Sequence, residues 1–206
     1  MVYHELYPDP AFNMLISGIT GCGKTHFVLD LLENEFRQKF DYIIIICPTF
    51  RYNKTYNRES ILADDDIIPL EINEKLDECL NKIIEVYKDK SEKALIIIDD
   101  CANLYDAKLK ATALTKLAFH GRHFNISTWV ITQKYNAIVK DFRENITILV
   151  LFYDKDKRSR DVAFKGNDVG ISNLEKENIV QALKSNKTSK LIMQLYPPFN
   201  YVVIYT

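Results

Sequence analysis

Four cysteines in 206 residues, Cys22, Cys47, Cys79 and Cys101, supply no C-x-x-C pair. Reduced thiols in a cytosolic compartment are therefore the expectation. An excess of charge of one sign is missing too: 27 Lys and Arg stand against 28 Asp and Glu, a net charge of −1. That balance excludes a wholly basic nucleic-acid binder, while leaving room for basic patches on one face or around a ring. No apolar run approaches the length of a membrane span, so nothing in the sequence demands a membrane. Residues 1–10 hold acids and prolines and lack the layout of a signal peptide. Internal repeats, low-complexity tracts and interdomain linkers are absent as well. What is present is ordinary globular composition, 47% hydrophobic and 27% charged, enough for one α/β domain over residues 1–206.

Apolar runs alternate with amphipathic stretches along the chain. Strands are expected at 12–17, 42–47, 94–98, 126–132 and 146–152. The runs Ile43-Ile44-Ile45-Ile46 and Ile96-Ile97-Ile98 read as parallel strands covered by helices on both faces. A first helix carries Phe27, Val28, Leu31, Leu32 and Phe36 at spacings of three and four. A second, over 73–88, carries Leu76, Leu80, Ile83, Ile84 and Tyr87. A third, over 107–119, carries Leu109, Ala113, Leu114, Leu117 and Ala118. The polar stretch 48–66 is expected to be a long surface loop. At the C-terminal end, 190–196, the turn 197–200 and 201–206 read as an antiparallel hairpin at the sheet edge. The fold class is a doubly wound α/β sheet.

Between the first strand and the first helix lies Gly18-Ile19-Thr20-Gly21-Cys22-Gly23-Lys24-Thr25, which fits G-x-x-x-x-G-K-[ST] without a mismatch. Backbone amides of such a loop wrap phosphates, and the following helix turns its positive end toward them. Gly18, Thr20, Gly21, Cys22, Gly23, Lys24, Thr25 and His26 form the expected ATP-binding set, with Lys24 on the β- and γ-phosphates. Thr25 is one expected Mg²⁺ ligand. Asp99, ending the run Leu95-Ile96-Ile97-Ile98-Asp99-Asp100, is the other, directly or through water. Asp100 stands where many ATPases place the glutamate that orients or deprotonates the attacking water, one methylene shorter. Gln133, at the end of strand 126–132, is a candidate γ-phosphate sensor if that strand lies between the two phosphate-site strands.

Arg122, in His120-Gly121-Arg122-His123-Phe124-Asn125, is a candidate for reaching a neighbouring subunit's γ-phosphate from the rim of the site. The bland alternative is a surface arginine after a glycine helix stop. His120 and His123 have no further ligands at useful spacing, which argues against zinc.

These stretches, with Cys47-Pro48-Thr49-Phe50, Gly121-Arg122-His123-Phe124-Asn125-Ile126-Ser127 and Ile131-Thr132-Gln133, resemble the FtsK–HerA superfamily of ATPases. More closely they resemble the genome-packaging ATPases of poxviruses, other large DNA viruses and virophages. The resemblance implies a RecA-like P-loop (ASCE) core with the Gln133 strand between the strands leading to Lys24 and Asp99. It implies a Mg²⁺-dependent ATPase in a pentameric or hexameric ring that moves double-stranded DNA into a preformed capsid. The implied partner is a capsid or portal vertex, and the implied place is the assembly site in host cytoplasm or the virion. Arg122 then looks like a trans-acting arginine finger, with Arg143 in Asp141-Phe142-Arg143-Glu144-Asn145 a second candidate. Two positions depart from the pattern: Cys22, where Ser or Ala is usual, and Asp100 in place of Glu. The Cys22 thiol is expected to make activity sensitive to oxidation or alkylation.

Candidate DNA-phosphate contacts are Lys108, Lys110, Lys116, Lys155, Lys157, Arg158 and Arg160, all equally readable as solvated faces. Two other functions share the motif: a nucleoside or nucleotide kinase with 155–160 as its lid, and a non-hydrolysing ATP-binding interaction protein. Asp99, Asp100 and Gln133 together favour hydrolysis.

Overall fold

The computed structural model describes residues 6–71, 76–101 and 112–205. The first half holds β1 (Asn13–Ser17), α1 (Lys24–Leu31), β2 (Tyr42–Ile46), α2 (Glu59–Leu62), β3 (Ile67–Leu70), α3 (Leu76–Tyr87) and β4 (Ala94–Asp99). The second holds α4 (Thr112–His120), β5 (Ile126–Thr132), α5 (Lys140–Glu144), β6 (Ile148–Phe152), α6 (Lys157–Gly166), α7 (Asn173–Ser185), β7 (Lys190–Gln194) and β8 (Asn200–Ile204). All eight strands join one sheet in the order β3-β2-β4-β5-β1-β6-β7-β8. Pairing is parallel from β3 through β6, and antiparallel from β6 to β7 and from β7 to β8.

Alternation along the buried strands divides the core between the two faces. Leu15, Ile44, Ile46, Ile96, Ile98, Val130 and Leu149 share one apolar cluster with residues of α3, α4, α5, α6 and α7. Met14, Ile16, Ile43, Ile45, Leu95, Ile97, Trp129 and Val150 share the other with α1. Helices thus cover both faces, as the unbroken isoleucine runs require. After α1 the chain widens into a π turn, Leu32–Phe36, and then tightens into a 3₁₀ turn, Arg37–Lys39. The excursion seats Phe36 against Trp129, with ring centroids 5.3 Å apart and near-perpendicular planes. Phe12 and Phe40 complete the cage, at 5.7 and 6.2 Å.

Strand 126–132 has the expected bounds, and the other four differ by one or two residues at an end. The stripe on α3 is buried at Leu76, Leu80, Ile83, Ile84 and Tyr87 as its spacing demands. Leu109 and the starts of the second and third expected helices lie outside the described residues.

One expectation needs correction, and three elements were not anticipated. Stretch 48–66 is not a simple surface loop: 3₁₀ turns at Phe50–Tyr52 and Lys54–Tyr56 and the short α2 bury Phe50, Tyr56 and Ile61. It then enters β3, which proline at Pro69 disguised; that strand is the sheet's edge, where a missing amide is tolerated. Helices α6 and α7 were also missed, although Asp156 caps α6 and Ser172 with Glu175 forms a capping box on α7.

The Trp129 cage joins β5, the central strand, to the underside of the α1 excursion. Trp129→Ala should lower stability by about 3–5 kcal/mol, read as a shift of the urea midpoint at constant slope. A loss below about 1 kcal/mol, typical of surface changes or less, would contradict this packing.

Candidate active site

Because β5 pairs with β1 on one side and β4 on the other, the carboxyl ends of three parallel strands lie side by side. In open α/β sheets that edge is where ligands bind. A cavity of about 430 Å³ opens there, lined by Thr20, Gly21, Gly23, Lys24, Thr25 and His26 from the loop after β1. Asp99 and Asp100 line it from β4, Ile131, Thr132 and Gln133 from β5, and Asn53 and Thr55 from the stretch after β2.

The loop geometry follows from its glycines. Gly21 and Gly23 have φ of 74° and 91°, a region that residues with a Cβ adopt at a cost. A Cβ on Gly18 would lie 2.5 Å from Phe152 Cβ, so the loop leaves β1 pressed against the end of β6. The Ile19 amide donates to the Tyr153 carbonyl at 3.1 Å, and the Gly18 amide to Thr132 at 3.3 Å. At the start of α1 the N-cap is Gly23, with no side-chain capping bond. The helix therefore presents backbone donors and its positive dipole end to the cavity, an arrangement suited to phosphate. Lys24 Nζ donates to the carbonyls of Gly18 (2.7 Å) and Ile19 (2.9 Å), which holds the ammonium within the loop.

Asp99 is only 4% exposed. Its Oδ2 accepts from Thr25 Oγ1 at 2.8 Å and from the Tyr56 hydroxyl at 2.7 Å. Burial pushes the Asp99 carboxyl above its ordinary value, against the lowering effect of those two bonds and of Lys24. Burial, followed by the charge of Asp99, pushes the Tyr56 phenol well up. A hydroxyl and a carboxylate joined at the foot of a phosphate loop are hard oxygen donors of the kind Mg²⁺ takes, alongside phosphate oxygens. Asp100, exposed, adopts φ of 54°, and its Oδ1 accepts from Gln133 Nε2 at 3.5 Å. Asp and Asn tolerate that left-handed backbone better than other residues with a Cβ.

His26 points along the outer side of α1. Its Nδ1 lies 2.9 Å from Arg58 Nη2, and its Nε2 lies 3.3 Å from Asp30. Arg58 also bridges to Asp30 (2.8 Å) and Glu33 (2.6 Å), tying the stretch after β2 to α1 and the π turn that follows it. Cys22 turns inward and is fully buried, and burial pushes its thiol up. The expected sensitivity to alkylation through Cys22 is therefore corrected, since an inaccessible neutral thiol is a poor nucleophile.

Arg122 is not at the rim of this cavity. It lies in the 3₁₀ turn Gly121–Phe124 that precedes β5, whereas the cavity lies beyond the other end of that strand. Seven residues of strand separate them, about 23 Å at ~3.3 Å per residue. Arg143 donates through Nε to the Ile138 carbonyl at 2.9 Å and stacks over the Tyr135 ring at 5.0 Å. Its guanidinium is thus engaged within the chain, whereas Arg122 is exposed.

The basic candidates separate similarly. Lys116 faces Glu85 at 3.6 Å, and Arg160 bonds to the Asp154 carbonyl and lies over Tyr153. Lys155, Lys157 and Arg158 are exposed, while Lys108 and Lys110 lie outside the described residues. The 155–160 stretch leads into α6, which is packed down through Ser159, Ala163 and Phe164. Sequence reasoning missed Asn53, Thr55 and Tyr56, whose polar neighbourhood disguised them as loop. The one available signal was an aromatic pair, Phe50 and Tyr56, within it.

A family model described as the poxvirus A32 protein matches residues 2–196. No curated protein matches the chain. Among solved structures, the DNA-packaging ATPase B204 of Sulfolobus turreted icosahedral virus is similar at 17% identity and a TM-score of 0.69, over 95% of this chain and 98% of that one. The genome packaging NTPase B204 of Sulfolobus turreted icosahedral virus 2, in complex with AMPPCP, is similar at 14% identity and a TM-score of 0.68, with the same coverages. The pCW3 conjugation coupling protein TcpA, with ATPγS, is similar at 10% identity and a TM-score of 0.65, over 96% of this chain and 61% of that one. At these identities the structural likeness speaks for the fold.

The buried Asp99 charge has a direct consequence. Asp99→Asn keeps an acceptor for Thr25 and Tyr56 and removes the cost of an ionised group, so in EDTA it should melt at or above the wild-type temperature. A fall beyond about 2–4 °C, equivalent to roughly 1 kcal/mol at this size, would contradict that account of the carboxylate.

Proposed function

Since the chain belongs to the poxvirus A32 protein family, we propose that it is an ATP-hydrolysing motor that packages double-stranded DNA into a preformed capsid. The observation that carries the catalytic part is the gathering of Lys24, Thr25, Asp99, Asp100 and Gln133 around one cavity from three adjacent strand ends. The structural relatives described as packaging enzymes support the remainder, as does the place of β5 between β1 and β4.

In this reading the loop amides from Gly18 to Thr25 hold the phosphates of ATP, and Lys24 transfers its ammonium from the loop carbonyls to the β- and γ-phosphates. Thr25 and Asp99 would hold Mg²⁺, Asp99 directly or through water, and the ion would supply positive charge against the phosphate oxygens. Asp100 orients the attacking water and accepts its proton, while Gln133 registers the γ-phosphate. Their 3.5 Å contact lets one side chain respond when the other is engaged.

Arg122 supplies the remaining positive charge to the next subunit's site, because its own site is out of reach across the sheet. A closed ring, pentameric or hexameric, follows if every subunit both gives and receives this arginine. Lys155, Lys157 and Arg158 are the exposed described candidates for contacting DNA phosphates, an interaction independent of base sequence. The partner that receives the DNA is a capsid or portal vertex, and the place is the viral assembly site in host cytoplasm, with association with the virion. Among the described residues no helix is long and apolar enough to cross a membrane. The packed α6 speaks against the kinase alternative, which needs a movable lid over the phosphates.

Two measurements test this function. Lys24→Ala should lose ATP turnover, and Arg122→Ala should bind nucleotide normally while losing about 10³-fold or more in hydrolysis rate. Mixing the two inactive variants should restore turnover, because some mixed interfaces combine an intact loop with an intact arginine. No recovery at any ratio would remove Arg122 from the neighbouring site. Duplex DNA should stimulate phosphate release and bind more weakly as salt rises, whatever its sequence; a salt-independent, unstimulated ATPase would contradict the motor.

A further inference from the structure

The stretch between β2 and β3 contributes one group that reaches the centre of the site. Tyr56 is 1% exposed, and its hydroxyl donates to the same Asp99 oxygen that accepts from Thr25. The ring is held by a stack on Phe50, with centroids 4.8 Å apart and planes inclined by 30°. Asn53 shapes the turn beneath it, its side-chain oxygen accepting from the Thr55 amide at 3.0 Å. Arg58, two residues on, anchors the stretch to α1 through Asp30 and to the π turn after it through Glu33. Tyr56 is thus clamped on both sides.

We propose that Tyr56 is a positioning residue for Asp99, setting the carboxylate that takes Mg²⁺ and wiring the stretch 50–58 into the nucleotide site. The proposal rests on Thr25 and Asp99 being the metal-holding pair. An ionised carboxylate accepts at two oxygens. With two hydroxyl donors on Oδ2, the carboxylate is held from two separate elements, by α1 through Thr25 and by the Phe50–Tyr56 pair. Removing the phenolic hydroxyl leaves Oδ2 with Thr25 alone, whose own oxygen would be shared with a bound metal. Outer partners of this kind hold ligating carboxylates in place, and losing one typically weakens metal affinity about 10–100-fold. A phenol with a purely packing role behaves differently: its loss lowers stability and leaves metal affinity untouched.

Tyr56→Phe separates the two roles, since the ring and its stack on Phe50 are preserved. The readout is the gain in AMPPCP affinity on adding Mn²⁺, measured by calorimetry on the full chain with EDTA as the metal-free reference. Binding in EDTA should match wild type, whereas the Mn²⁺-dependent gain should shrink by about tenfold or more. Tyr52→Phe, on the exposed side of the same stretch, should retain the full gain. An undiminished gain in Tyr56→Phe overturns the positioning role alone. A wild-type protein whose AMPPCP affinity ignores Mn²⁺ overturns the Thr25–Asp99 metal site, and the proposal with it. Should Tyr56→Phe fail to fold, Phe50→Leu loosens the ring but keeps the hydroxyl. A reduced gain there supports the proposal, and an unchanged one overturns it.

Discussion

A carboxylate buried at the end of an apolar strand is the interaction on which this molecule turns. Asp99 follows five apolar residues of β4 and is almost wholly removed from water. An unpaired charge in that position costs several kcal/mol. The fold offsets the cost with two hydroxyls, one from the helix after the phosphate loop and one from the stretch after β2. Three pieces of chain, distant in sequence, therefore meet at one oxygen. Burial still raises the carboxyl, so the site retains an unfavourable charge that a bound cation would relieve.

The sheet order explains why the other polar groups lie close by. Inserting β5 between β1 and β4 places Gln133 next to Asp100, and both face the loop that holds Lys24. The turn that leads into the same strand carries Arg122, at the opposite end of the strand. A single central strand thus links a site at one end with an exposed guanidinium at the other. In the proposed head-to-tail ring those two ends would meet between neighbours, and a shift of β5 in one subunit would move a residue in the next subunit's site.

Residues that act through local backbone were legible early. The phosphate loop, the α3 stripe and the buried strands each follow from spacing within a dozen residues. Asp99 and Gln133 were legible as polar residues ending apolar runs. Stretch 48–66 was not, because its few apolar residues are too scattered to show a period: Phe50, Tyr56 and Ile61 belong to two 3₁₀ turns and a one-turn helix. Pro69 hid an edge strand, and the low apolar content of α6 masked a helix whose Asp156 cap was in plain view. Cys22 was readable as a loop thiol, but its inward turn depends on packing against neighbours that local spacing does not reveal.

By itself, then, the sequence determined the phosphate loop, the α/β alternation and the identity of the polar groups, because these rest on dihedral preferences and periodicities within single elements. Only the tertiary structure decided which groups share the cavity, that Tyr56 grips Asp99, that Arg143 is spent on Tyr135 and Ile138, and that Arg122 faces away. Each of these depends on the lateral order of strands and on contacts across tens of residues. Strand order is set by the packing of two whole faces at once, and no local stretch of sequence carries that information.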